Sequence, residues 1–195
     1  MTNTLAAIVL AGGRSSRMGR DKAAIALDGV PLLTRTCRVA RELASDVVVV
    51  TSQPKRDRLV PPECRIVREP EAFQGPLAGV LCGAAAIASR WTLVLACDLP
   101  NLHAATLQSW VVQLSEVSDD AIAVLPSGVK GWEPLCGFYR DRCWPRLQEY
   151  WNAGGRSLQR WLRDREDITE IPNVPPEVVF NCNTPADLER SRPGN

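Results

Sequence analysis

Three runs that are apolar at nearly every position place the strongest constraint on how this chain folds. They are Ala6–Leu10, the β-branched run Asp46–Thr51 and Trp91–Ala96. A strand with one face in water alternates apolar and polar residues, whereas a strand covered on both faces is apolar at nearly every position. Because helix-like segments lie between these runs, we predict an α/β fold with a mostly parallel sheet and helices on both faces.

The rest of the chain continues the same alternation. Further strands are predicted at Arg65–Val67, Ala121–Leu125, Leu135–Tyr139 and Val178–Asn181. Helices are predicted at Leu32–Ala44, Pro76–Ala88, Ala104–Leu114, Arg142–Trp151, Ser157–Asp164 and Pro185–Arg190. A chain of 195 residues suits one α/β domain, which we place at 1–191 with a frayed tail at 192–195.

Charge and cysteine content limit the classes of partner and the cellular compartment that we expect for this chain. A net charge of +1 provides no general basic field, so we expect neither nucleic acid nor a membrane surface as partner. The seven cysteines include no C-x-x-C pair, which fits a reducing cytoplasm. We find no signal peptide and no apolar stretch near the ~18 residues that span a membrane. With one histidine, a histidine-rich metal site is excluded.

The segment that follows the first apolar run predicts a polyphosphate site. Sheets of this class bind ligands beyond the carboxyl ends of their strands. Glycines let the backbone N–H groups approach an anion closely, and cations add charge-assisted contacts; here these residues are Gly12, Gly13, Arg14, Arg17 and Lys22. The spacing matches neither the Walker loop nor the dinucleotide fingerprint. The alternative is a solvated, positively charged loop.

Asp98 is the candidate metal ligand. It stands in Cys97-Asp98-Leu99-Pro100, just after a buried strand, and so at the ligand edge of the predicted sheet. Mg²⁺ prefers oxygen ligands, commonly one or two carboxylates together with substrate phosphates. The alternative role is to cap the next helix, although Asn101 lies nearer to that helix and could cap it.

Two further segments carry candidate binding residues. Glu69 precedes Gly75-Pro76, and this loop is either a substrate-side loop, with Glu69 near the phosphates or the base, or an ordinary acidic loop. Asn183 lies in Asn181-Cys182-Asn183-Thr184-Pro185, where it could orient a phosphate or the metal shell. Turn and capping chemistry, with Thr184 as N-cap, accounts for that segment equally well.

Taken together, these motifs resemble the molybdenum cofactor guanylyltransferase family. The resemblance rests on pieces in family order along nearly the whole chain: Leu10-Ala11-Gly12-Gly13, Ser16-Arg17-Met18-Gly19, Asp21-Lys22, Gly75-Pro76-Leu77-Ala78-Gly79, Cys97-Asp98-Leu99-Pro100, Pro134-Leu135, Gly154-Gly155-Arg156-Ser157 and Asn181-x-Asn183-Thr184-Pro185. The related cytidylyltransferases tend to carry Leu-Ala-Ala-Gly and Asp-Gln-Pro instead. Glu133, before Pro134-Leu135, departs from the family's usual His or Gln.

The resemblance implies a Rossmann-like fold of the nucleotide-diphospho-sugar transferase type and an enzyme that uses GTP, Mg²⁺ and molybdopterin. A terminal phosphate of molybdopterin would attack the α-phosphorus of GTP, and pyrophosphate would leave. By position, Arg17, Lys22 and Asp98 would be catalytic, with Asp98 holding Mg²⁺. The nucleotide would contact Leu10, Ala11, Gly12, Gly13, Arg14, Lys22, Glu69, Gly75, Asp98 and Asn183. Molybdenum-insertion and molybdoenzyme-maturation proteins are the implied partners.

Two other functions stay open at this point. One is a sister nucleotidyltransferase that uses CTP or another phosphorylated acceptor. The other is a non-catalytic nucleotide-binding subunit, although retention of both Asp98 and Lys22 argues against it.

Overall fold

The structure is a computed structural model that describes residues 5–12, 21–69, 74–129, 131–182 and 185–190. Its ten strands, in chain order, are β1 (Leu5–Leu10), β2 (Ala26–Leu27), β3 (Val30–Pro31), β4 (Asp46–Val50), β5 (Arg65–Val67), β6 (Trp91–Ala96), β7 (Ala123–Gly128), β8 (Gly131–Trp132), β9 (Cys136–Arg140) and β10 (Ile168–Ile171).

Six α-helices and two short 3-10 helices connect these strands within the described residues. The α-helices are α1 (Leu32–Leu43), α2 (Pro76–Ala84), α3 (Ala104–Gln113), α4 (Cys143–Asn152), α5 (Leu158–Leu162) and α6 (Pro185–Arg190). The 3-10 helices cover Lys22–Ala24 and Pro54–Leu59. None of the described helices is both long and apolar enough to cross a membrane.

The main sheet has the strand order β10-β7-β9-β6-β1-β4-β5, with β8 paired to β7. The pairs β6–β1, β1–β4, β4–β5 and β7–β10 are parallel, whereas β9 runs antiparallel to both β6 and β7. The predicted α/β class with a mostly parallel sheet is therefore confirmed. β2 and β3 form a separate hairpin.

Both faces of the sheet are buried, which explains why its central strands are apolar at nearly every position. Ala7 and Val9 of β1 face the layer that contains α1 and α3. Ile8 and Leu10 face the opposite layer, which contains α2, α4 and α5. Successive side chains of a strand point to opposite faces, so one apolar run serves two cores.

The Gly- and Ala-rich helix α2 packs close to the sheet. A Cβ added at Gly83 would lie 2.8 Å from Ile8 Cγ2 and 3.0 Å from Val50 Cγ2. The helix ends at Ala84 rather than at the predicted Ala88. There the amides of Ala86 and Ile87 bond to carbonyls three residues back, which tightens the chain into a turn.

The predicted strand at Val178–Asn181 is wrong. Those residues form a turn in which the amide of Val178 donates to the Pro175 carbonyl and that of Phe180 donates to the Glu177 carbonyl. Val178 and Val179 are buried in the core without pairing to a strand. A β-branched pair favours a strand by itself, but the preceding Pro175-Pro176 favours a turn.

Candidate active site

Four parallel strands, β1, β4, β5 and β6, end at one edge of the sheet. Hydrogen bonds continue beyond the strand ends: the Cys97 amide donates to the Leu10 carbonyl (3.2 Å), and the Ala11 amide donates to the Val50 carbonyl (2.9 Å). The segments that begin at Ala11, Thr51, Arg68 and Cys97 are therefore held side by side. This is the edge at which such sheets bind ligands.

Asp98 and Lys22 meet at this edge. Lys22 Nζ lies 3.5 Å from Asp98 Oδ2, and the two side chains are 22% and 18% exposed. Burial raises the pKa of the Asp98 carboxyl above its ordinary value, while the charge and hydrogen bond of Lys22 act in the opposite direction. A buried carboxylate beside a single ammonium group is a place where further positive charge would be stabilised.

The Cys97 thiol, next to Asp98, is not a nucleophile at neutral pH. Burial, followed by the charge of Asp98, raises the pKa of Cys97 to about 12. Only the thiolate form attacks an electrophile. The site therefore offers charge and oxygen ligands rather than a covalent cysteine.

Glu69 lies between the end of β1 and the first turn of α2. A Cβ added at Gly79 would lie 3.1 Å from Glu69 Oε1, and one added at Gly12 would lie 3.7 Å from Oε2. Glycine at position 79 therefore leaves room for the carboxylate. Burial raises the pKa of Glu69, and the charge of Arg56 opposes this shift.

Gly75 sets the start of α2 in the same region. It occupies the N-cap position with φ +95°, a conformation that favours glycine, and Pro76 follows as the first helical residue. Glu69 and the start of α2 thus lie at the same sheet edge as Gly12. The structure brings together Leu10, Ala11, Gly12, Lys22, Glu69 and Asp98 of the predicted set, with Gly75 opening the adjacent helix.

Four predicted residues, Gly13, Arg14, Arg17 and Asn183, lie outside the described residues, as does the predicted N-cap Thr184. The chain just before Asn183 does reach the site, since the Cys182 amide donates to the Asp98 carbonyl (2.9 Å).

The proposed capping role of Asn101 is wrong. Its Nδ2 donates to the Glu177 carbonyl (3.2 Å), and the N-cap position of α3 is held by His103, which makes no side-chain capping bond. Asp98 does not cap this helix either, because α3 begins only at Ala104.

Arg56 was not among the predicted site residues. It stands in a charged run, Lys55-Arg56-Asp57-Arg58, that reads as a solvated surface. In the structure its side chain is 2% exposed and binds Asp21, with Nη2 2.8 Å from Asp21 Oδ1. The useful signal was its position, a few residues beyond the apolar run that became β4 and hence at the ligand edge.

Comparison with known proteins identifies the family. The MobA-like NTP transferase domain family matches residues 7–168. The chain belongs to this family. It is 52% identical over 188 residues to a Nostoc sp. protein named "Probable molybdenum cofactor guanylyltransferase", covering 95% of this chain and 89% of that one. A Pseudomonas putida protein named "Molybdenum cofactor guanylyltransferase" is 36% identical over 93% of this chain and 94% of its own length.

A solved structure agrees on the fold of this MobA-like chain. It is the molybdopterin-guanine dinucleotide biosynthesis protein A from Archaeoglobus fulgidus, which superimposes with a TM-score of 0.74 over 95% of this chain and 96% of that one. At 22% identity this likeness establishes the fold alone. The family resemblance inferred from the sequence motifs is confirmed, and the chain is a nucleotidyltransferase of the MobA-like type.

Proposed function

We propose that this chain transfers GMP from GTP to the terminal phosphate of molybdopterin, forming the guanine dinucleotide form of the cofactor and releasing pyrophosphate. The observation that carries the proposal is the approach of Lys22 to Asp98 where the segments after β1 and β6 meet. The names of the Nostoc and Pseudomonas relatives support guanylyl as the transferred group and the molybdenum cofactor as the acceptor.

The reaction forms one bond and breaks one. An oxygen of the acceptor phosphate attacks the α-phosphorus of GTP, and the bond from that phosphorus to the bridging oxygen of the β-phosphate breaks. Pyrophosphate leaves with the electron pair of that bond. The attacking phosphate is already anionic, so positioning and charge neutralisation matter more than a strong base.

Several residues of the candidate site have a distinct part in this proposal. Gly12 lets the backbone approach the phosphates, and Lys22 balances the negative charge that develops on the departing pyrophosphate. Glu69, half-buried beside Gly12, would accept hydrogen bonds from the nucleotide base or ribose. Arg14, Arg17 and Asn183 complete the proposed set by their positions in the sequence motifs.

The donor chemistry of Asp98 fits a magnesium ion. Its carboxylate is mostly buried and supplies the hard oxygen ligand that Mg²⁺ prefers. Among the described residues, no group of three or more His, Cys, Asp or Glu is placed to hold a metal. Phosphate oxygens would then complete the coordination, and the bound ion would neutralise charge on the triphosphate.

The proposal extends to partners and setting. A product that serves as a cofactor must pass to enzymes that use it, so we propose molybdenum-insertion and molybdoenzyme-maturation proteins as partners. The abundance of cysteines outside disulfides, six of them buried, fits a cytoplasmic setting.

A nucleotide panel tests this proposal. The purified chain is supplied with molybdopterin, Mg²⁺ and either GTP, CTP, ATP or UTP, and pyrophosphate release is followed. We expect release with GTP that depends on both molybdopterin and Mg²⁺. Faster release with CTP would assign the chain to the cytidylyl branch, and no release with any nucleotide would overturn an enzymatic role.

A further inference from the structure

Arg56 is the most deeply buried cationic side chain near the candidate site among the described residues. Its Nε donates to Asp21 Oδ1 (3.1 Å) and Oδ2 (3.0 Å), and its Nη2 donates to Oδ1 (2.8 Å). Its Nη1 donates to the main-chain carbonyl of Ala11. One guanidinium therefore binds a carboxylate on one side and a backbone carbonyl on the other.

The two partners of Arg56 lie on either side of residues 12–20, the sequence segment that contains Gly12, Gly13, Arg14 and Arg17. Ala11 follows β1 directly, and Asp21 precedes the 3-10 helix that begins at Lys22. Asp21 Oδ1 also accepts from the Ala23 amide (3.3 Å), so the same carboxylate fixes the turn that carries Lys22. The contacts of Arg56 thus connect Ala11, just before this segment, to Asp21, just after it.

The Asp21 carboxylate is stabilised in its charged form by two neighbouring cations, Arg56 and Lys55. Burial alone would raise the pKa of Asp21, but hydrogen bonds and charge from Arg56, and then from Lys55, hold it below its ordinary value. Lys55 Nζ lies 3.3 Å from Asp21 Oδ2 and is 62% exposed, so Arg56 provides the ordered, water-excluded contacts. The Asp21 carboxylate is therefore ionised at neutral pH.

Stability alone does not account for a buried ion pair at this position. Removing two charges from water costs free energy, and well-packed apolar residues of similar volume often stabilise a protein as well or better. What the pair supplies is fixed geometry, because a planar guanidinium with several donors defines the distance and angle between its acceptors. Here the guanidinium fixes the position of Ala11 relative to Asp21, and these residues directly precede Gly12 and Lys22 in the chain.

We propose that Arg56 is a positioning residue for the nucleotide site. It joins the Ala11 carbonyl to the Asp21 carboxylate and so holds Lys22 and the Gly12 backbone where a triphosphate binds. The inference rests on the proposed function for the identity of the nucleotide, whereas the joining of the two segment ends does not depend on it. Arg56 acts through these contacts and does not touch the reacting atoms.

The chain contains a matched control in Arg65. Its guanidinium also binds a carboxylate and a backbone carbonyl, donating to Asp46 Oδ2 (2.8 Å) and to the Ala86 carbonyl (2.9 Å). Asp46 and Arg65 begin β4 and β5, so this cluster lies at the opposite edge of the sheet. Arg65→Lys removes the same kind of bidentate contact away from the site.

The first measurement needs no ligand. Amide hydrogen exchange is compared for the wild type, Arg56→Lys and Arg65→Lys, at the amides of Ala11 and Ala23–Ile25. We expect faster exchange at these amides in Arg56→Lys only, with unchanged exchange in the core strands. Unchanged exchange at these amides in a folded Arg56→Lys protein would overturn the proposal, as would equal acceleration in Arg65→Lys.

The second measurement concerns the nucleotide. We expect Arg56→Lys to raise the KM and Kd for Mg²⁺-GTP by about tenfold to a hundredfold, with a smaller effect on kcat at saturation. Asp21→Asn should produce the same split between KM and kcat, and it replaces Arg56→Lys if that variant does not fold. A folded variant with wild-type KM and Kd would contradict the positioning role.

The two proposals fail in different ways. If the wild-type chain neither binds GTP nor releases pyrophosphate, the proposed function is wrong, and the exchange measurement still decides whether Arg56 joins the two segment ends. If wild-type turnover is normal and Arg56→Lys retains both exchange and KM, the proposed function stands and the role of Arg56 is wrong.

Discussion

Replacing Asp98 with asparagine separates the charge of this side chain from its size. The carboxylate lies beyond β6 with 18% of the side chain exposed, and the amide has nearly the same shape. We expect kcat to fall by about 10³ or more, which corresponds to about 4 kcal/mol of lost transition-state stabilisation, because the proposed ligand of Mg²⁺ is removed.

The same substitution should leave the fold intact. Burial raises the pKa of Asp98 in the folded protein, so folding favours the protonated form. This group then contributes most to stability below its unfolded pKa of about 4, and the contribution declines as pH rises through the folded pKa. Because asparagine does not ionise, we expect the free energy of unfolding of Asp98→Asn at pH 7 to equal or exceed that of the wild type.

The assay pairs turnover with stability. Pyrophosphate release is measured at saturating GTP, molybdopterin and Mg²⁺, and the free energy of unfolding is measured in urea at pH 5 and pH 7. Asp46→Asn, at the amino end of β4, serves as the control and should keep wild-type turnover. Wild-type turnover in Asp98→Asn would remove this residue from the site, and a large loss of stability at pH 7 would refute the electrostatic reasoning.

Three further changes have defined outcomes. Lys22→Met should raise the KM for GTP by about tenfold or more. It should also move the acid limb of the pH–rate profile to higher pH, because Lys22 opposes the raised pKa of Asp98. An unchanged KM and profile would place Lys22 outside the site. Asp21→Asn should make the free energy of unfolding fall less steeply as pH is lowered. The pKa of Asp21 is lowered in the folded protein, so its contribution to stability is present above its unfolded pKa and is lost as pH falls through the folded pKa. Acid titration followed by circular dichroism measures this slope, and a wild-type slope would contradict the prediction. Gly83→Ala should destabilise the fold by about 1–3 kcal/mol in urea despite the higher helix propensity of alanine, because its Cβ would meet a strand methyl group at 2.8 Å; an increase in stability would show that this contact is easily relieved.

Much of the fold could be predicted because burial on both faces leaves a direct mark on the sequence. The bounds of β6 agree with its apolar run, and those of β1 and β4 differ from theirs by one residue at an end. The short strand β5 also has its predicted bounds. β10 (Ile168–Ile171) was missed because this edge strand mixes polar and apolar residues and pairs only with β7. The domain bounds at 1–191 remain a prediction.

β7 illustrates how tertiary context overrides a local rule. The predicted strand stops at Leu125, just before Pro126, and proline lacks the N–H that a central strand needs. In the structure β7 continues through Pro126 to Gly128, since its pairing with β9 covers only Ala123 and Val124. Beyond that point Pro126 pairs with β10 through Ile171, and its carbonyl accepts from the Glu133 amide.

The candidate site was predictable where a motif follows a strand, as for Asp98 and Lys22. The burial of Arg56 was not, because burial of a charged side chain depends on partners distant in sequence. Asp21 is 35 residues away, and the Ala11 carbonyl is 45 residues away. The position of the charged run beyond β4 indicates the ligand edge, but nothing within the run distinguishes Arg56 from its charged neighbours.

The most direct test of guanylyl transfer follows each phosphate of GTP to its product. The wild-type chain is incubated with Mg²⁺, molybdopterin and GTP that is radiolabelled at either the α- or the γ-phosphate, and the pterin product is isolated. We expect the α-label to move to a pterin dinucleotide that is heavier than molybdopterin by one GMP unit, and the γ-label to appear in pyrophosphate. A γ-label on the pterin, or an α-label that stays with GDP, would contradict guanylyl transfer.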